Sequence, residues 1–93
     1  MSYNGHKNWQ YWNVSLWISN TESLDCMALD CLAAFERIGY RERTIAAREM
    51  VTALRGLGDT HTPDGARYTV DNVRAAMRGQ AQTINDIRHS IEE

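Results

Sequence analysis

The side chains best equipped for chemistry are His6, His61, His89, Cys26 and Cys31, and their spacing gives them little to work with. The histidines fall in a leader, a loop and a C-terminal helical stretch. None has a Cys, Ser or carboxylate at a distance that defines a site. His61 and Asp64 could both touch a metal, but catalytic zinc takes three protein ligands, so the pair reads as part of a structured surface loop. Cys26 and Cys31 lie on one helical stretch, whose steps direct them about 140° apart and prevent a bridge. With no cation beside them to favour a thiolate, they read as buried small hydrophobes. No glycine-rich phosphate cradle is present. The expectation is a chain without catalytic residues, metal or cofactor, and not an enzyme.

Recognition is better represented. All three tryptophans, Trp9, Trp12 and Trp17, fall within nine residues of the stretch Asn4 to Asn20. As a helix starting near Asn8, this stretch places Trp9, Trp12 and Leu16 on one face with Trp17 on its flank, and Tyr11, Val14 and Ile18 opposite. A helix apolar nearly all round is expected to be buried nearly all round. The indoles and Leu16 should then sit in the core with Leu32 and Phe35; an exposed aromatic patch that docks a partner is the alternative. Asn13 lies among the indoles, and a buried amide requires hydrogen-bond partners. It is expected to tie the helix to a neighbouring turn, with a ligand-reading role as the alternative.

The basic residues allow a second kind of recognition. Met1 to Tyr40 holds two basic and four acidic residues, whereas Arg41 to Glu93 holds eight of each, all eight cations being arginine. Arg41, Arg43, Arg48 and Arg55 follow a Gly39-centred turn, an outline similar to a helix-turn-helix facing a phosphate backbone. Their neighbours Glu42 and Glu49 read instead as a mixed, solvated face. With a net charge of -2 and a pI near 5.9, nucleic acid is a possible partner but not the favoured one.

Four helices must position these residues. The first runs from Asn8 to about Asn20. The second, Glu22 to Ile38, carries Leu24, Met27, Ala28, Cys31, Leu32, Phe35 and Ile38 at steps of three and four, with Gly39 as its C′ residue. The third, from Arg41 or Thr44 to Leu57, turns Ala47, Met50, Val51 and Leu54 inward and ends at Gly58. Thr62-Pro63-Asp64-Gly65 fits a type I turn inside a tiny β-hairpin over residues 60–68. Thr69 caps the fourth helix, whose Val70, Val73, Met77, Ile84, Ile87 and Ile91, with Gln80 in the missing place, follow heptad spacing. Residues 79–93 exceed what a core this size needs, and Ile84, Ile87 and Ile91 are expected to form a homodimer seam.

At 93 residues, the chain is read as one compact all-α domain of four helices around the tryptophan helix. It has no secretory h-region and no apolar run of membrane-spanning length, so no membrane partner and a cytoplasmic location are expected. Met1 followed by Ser2 reads as a natural start.

The run Asn4-Gly5, Asn8-Trp9, Trp12-Asn13-Val14-Ser15-Leu16-Trp17-Ile18 and Asn20 resembles the opening signature of small uncharacterised proteins of bacteriophages and prophages. The segment Thr60 to Tyr68 resembles a second recurring feature of that group, whose chains tend to end soon after Met77. Gln80 to Glu93 is a departure from that pattern. The resemblance implies a cytoplasmic inhibitor of a host defence component, an anti-CRISPR protein in its most specific form. Such a protein works by covering a functional surface of a host complex.

Overall fold

The computed structural model describes residues 8–92, and within them the chain forms four helices: α1 (Trp9–Asn20), α2 (Glu22–Ala33), α3 (Tyr40–Gly56) and α4 (Val70–Glu92). This is the expected all-α, four-helix domain. The leader with His6 lies outside the described residues. Most helix ends have a local cause. Asn8 starts α1 by accepting a hydrogen bond from the Tyr11 N–H at 3.0 Å. Thr21, in extended conformation, closes α1 through its N–H to Trp17 O at 3.0 Å and opens α2, whose first turn carries Glu22 and Asp25 at the positive end of the helix dipole. Past α3, Gly58 adopts φ 77°, and Asp59 N–H returns to Leu54 O at 2.9 Å. Thr69 Oγ1 accepts from Asn72 N–H at 3.1 Å and starts α4.

Two boundaries depart from the periodic pattern. Helix α2 stops at Ala33 although its apolar spacing continues to Ile38. The cause is tertiary: Arg88, far along α4, donates Nη1 to the carbonyls of Phe35 and Glu36 at 2.6 and 2.9 Å, and Nη2 to Ala33 O at 3.2 Å. A guanidinium supplied from elsewhere satisfies carbonyls that would otherwise continue the helix ladder. Gly39 is consequently not the C′ residue of α2. It is the N-cap of α3, in extended conformation at φ -104° and ψ -163°, and its N–H donates to Glu42 Oε1 at 2.9 Å.

Residues 59–69 fold back on themselves as expected. Gly65 N–H reaches Thr62 O at 2.9 Å, Thr62 N–H reaches Ala66 O at 2.7 Å, and His61 and Arg67 form a single antiparallel bridge. The hairpin is therefore one bridge, and no longer strand occurs among the described residues. Its Ala66 and Tyr68 are buried and close one side of the core.

Among the described residues, α4 packs on all three other helices, whereas α1 packs on α2 and α4 and no helix covers its outer face. The core is built from Val14 and Ile18, Leu24, Ala28 and Leu32, Met50 and Leu54, and Val73 and Met77. The expectation that the indoles form its centre is overturned. Trp9 and Leu16 are exposed at 36% and 37%, Trp12 and Trp17 are half-buried, and Phe35 is half-buried at the edge of the core. Of the residues assigned to the core with them, Asn13 and Leu32 are fully enclosed. With helix neighbours among the described residues on one side, α1 commits the smaller Val14 and Ile18 to the interior.

Gly79 sits mid-helix in α4, with nothing within 4 Å of the position a Cβ would take. Gly79→Ala is expected to stabilise the protein by about 1 kcal/mol through helix propensity. A rise in the urea midpoint checks this, and a fall would reveal an unrecognised close approach.

Candidate binding surface

The residues singled out in two separate stretches of sequence meet at one place. Asp64, at the tip of the hairpin turn, accepts hydrogen bonds on Oδ2 from Asn13 Nδ2 and from Trp17 Nε1, both at 2.8 Å. Asn13 Oδ1 in turn accepts from Thr62 Oγ1 at 2.6 Å, and Thr62 Oγ1 accepts from Ala66 N–H at 3.0 Å. Asn13 and Thr62 are buried, and Asp64 is at the surface. The two donors, Asn13 first and then Trp17, hold the Asp64 carboxyl below its ordinary value. Asn13 therefore ties α1 to the turn, and the turn is held through side chains as well as its own backbone.

This clamp fixes the loop beside the outer face of α1. Trp9, Trp12 and Leu16 share that face, about 100° per residue around the helix, and Trp9 and Leu16 carry its exposed apolar surface. Indoles on a rigid helix have large contact area and few torsions to freeze, which suits them to anchor an interface.

The four arginines of α3 do not act as one group. Arg41, Arg48 and Arg55 recur every seven residues, form one stripe and are exposed. Arg43 lies on the opposite, core-directed side and is half-buried. There it approaches Arg74 and Arg78 of α4, at i and i+4 on one helix face. The link between α2 and α3 is the irregular stretch 34–39, longer than the three or four residues of a helix-turn-helix turn.

Comparison with protein families gives a match over residues 1–92 to a family of unknown function, DUF7249. The chain belongs to DUF7249. The match takes in residues 80–92, the segment set apart above as an extension. No curated protein and no solved structure matches.

In this DUF7249 member the two cysteines are free thiols. Among the described residues, no three His, Cys, Asp or Glu side chains are placed to hold a metal ion. His61 shares a 2.8 Å hydrogen bond with Thr60, and Asp64 is occupied by Asn13 and Trp17. Cys26 is exposed and is not the buried small hydrophobe expected, lying off the apolar stripe of α2. Cys31 is half-buried, and burial, with the nearby charges of Glu49 and Asp30, pushes its thiol up and away from thiolate character. Sequence reasoning missed Arg74, Arg78 and Arg88. The i, i+4 spacing of the first two was a usable signal, whereas nothing local to Arg88 announces its carbonyl partners.

Proposed function

We propose that the protein works by binding. In this reading it is a phage-encoded inhibitor that acts in the host cytoplasm by docking on a host defence complex and blocking it, with steric anti-CRISPR action as its most specific form. The observation that carries the reading is the exposure of Trp9 and Leu16 on a helix clamped through Asn13 to the 60–68 turn. The resemblance of both segments to phage proteins supports the host-defence direction.

The test is capture of the effector complex from an extract of a CRISPR-immune host, with plaquing of a targeted phage as the cellular readout. Wild type is expected to capture the complex and restore plaquing. The double variant Trp9→Ala/Leu16→Glu is expected to keep its helical circular dichroism while capturing roughly tenfold less or worse. Absence of capture together with absence of restored plaquing overturns the reading.

The alternative, a helical nucleic-acid-binding regulator, is supported by the exposed stripe Arg41, Arg48 and Arg55. It predicts a salt-sensitive shift of duplex DNA that is lost in Arg48→Gln/Arg55→Gln.

The last turns of α4 support self-association in either case. Ile87 and Ile91 are exposed at 54% and 78%, while Ile84 packs partly against the protein's own core. A homodimer is expected in sedimentation at high micromolar concentration, and Ile87→Glu/Ile91→Glu is expected to run as a monomer. A monomeric wild type removes the seam.

A further inference from the structure

Independently of that reading, a cleft of about 210 Å³ opens between the start of α3 and the first half of α4, lined by Tyr11, Tyr40, Arg43, Asp71, Arg74 and Arg78. Arg74 is already engaged. One of its nitrogens donates to Asp71 Oδ1 at 2.7 Å, another lies 3.5 Å from Thr44 Oγ1, and its guanidinium carbon stands 4.6 Å from the centre of the Tyr40 ring. Asp71, the carboxylate lining the cleft, is taken up by this bridge to Arg74, which leaves Arg43 and Arg78 without one there. The Nε of Arg43 is buried and makes no hydrogen bond.

These facts share one explanation. Buried donors in folded proteins are almost always satisfied, by protein, water or ligand, and gathered guanidiniums repel unless an anion stands between them. Burial, then Arg78 and Arg74, hold the Arg43 guanidinium below its ordinary value. With one of three cations neutralised by Asp71, two positive charges remain for the cleft. A carboxylate would cancel one of them, whereas a phosphoryl dianion cancels both and accepts the parallel N–H bonds that guanidinium forks present. The volume suits one such group and its immediate substituent.

We propose that this cleft binds a phosphoryl dianion, free or carried on a small phosphomonoester, between Arg43 and Arg78, with Arg74 held beside them by Asp71 and Tyr40.

The full chain, isotopically labelled, is titrated with inorganic phosphate and, at matched ionic strength, with sodium chloride, following the arginine Nε–H resonances by NMR. Phosphate is expected to shift the signals of Arg43 and Arg78 saturably, and chloride is not. Arg78→Gln, at an exposed position, is expected to fold normally and weaken phosphate binding about tenfold. Arg43→Gln is expected to weaken it at least as much and, in phosphate-free buffer, to raise the melting temperature by relieving the repulsion. Adenosine monophosphate and adenosine complete the set. Tighter binding of the monophosphate than of phosphate assigns the group to a larger phosphomonoester, and equal binding assigns it to free phosphate. Equal shifts in chloride, or undiminished binding in Arg78→Gln, overturn the proposal.

Discussion

Asn13→Ala is expected to destabilise the domain by about 2–4 kcal/mol, the largest effect of any single polar substitution here. The magnitude rests on burial. Asn13 is 1% and Thr62 4% exposed, so truncating the amide strands the Thr62 hydroxyl, which now donates to Asn13 Oδ1, and leaves a small cavity. Asp64, at the surface, regains water and adds little. Asn13→Asp separates this account from simple packing, because it puts a second carboxylate where the Nδ2 donor to Asp64 now stands. The two proteins should then respond to acid with opposite sign. In wild type the Asp64 carboxyl is held below its ordinary value by Asn13 and Trp17. Its contribution is therefore complete above the unfolded carboxylate value of about 4 and is lost as the pH falls through the lower folded value. In Asn13→Asp the paired charges repel at neutral pH, and protonating one of them relieves the strain. Melting temperatures measured from neutral to acid pH should show wild type falling while Asn13→Asp partly recovers. Parallel profiles would sink this account of the network.

The second large effect is expected at Arg88. Arg88→Ala should cost about 1.5–3 kcal/mol: three charge-assisted hydrogen bonds to Ala33, Phe35 and Glu36 disappear, and two of them lie where water can replace the lost donor. Arg88→Lys should fall between, since an ammonium cannot span three carbonyls in one plane. Urea unfolding measures the loss, and faster amide exchange over residues 34–39 locates it. A neutral Arg88→Ala would mean that the turn after α2 holds itself.

Legibility followed how local the cause was. The four helices, the caps at Asn8 and Thr69, the stop at Gly58 and the turn at Pro63 were all readable, because each depends on neighbours within a few residues. The end of α2 was not, because its apolar period runs on through Phe35 and Ile38 and the guanidinium that interrupts it arrives from Arg88. The tryptophans misled for a related reason. Apolar character all round α1 implies partners all round it, yet the number of partners is a property of topology, and among the described residues α1 meets two helices. Asn13 was legible as a buried amide with an obligation. Its partners, Thr62 and Asp64, were visible as a turn, but nothing in either stretch joined them. The basic stripe on α3 was half right: Arg41, Arg48 and Arg55 stay together, while Arg43 belongs with the arginines of α4.

The bond from Trp17 Nε1 to Asp64 Oδ2, at 2.8 Å, makes the domain its own optical gauge. Lifting the turn would change the electrostatic setting of the Trp17 indole, so fluorescence with Trp9 and Trp12 replaced by phenylalanine would report whether the latch is open or shut, without a label.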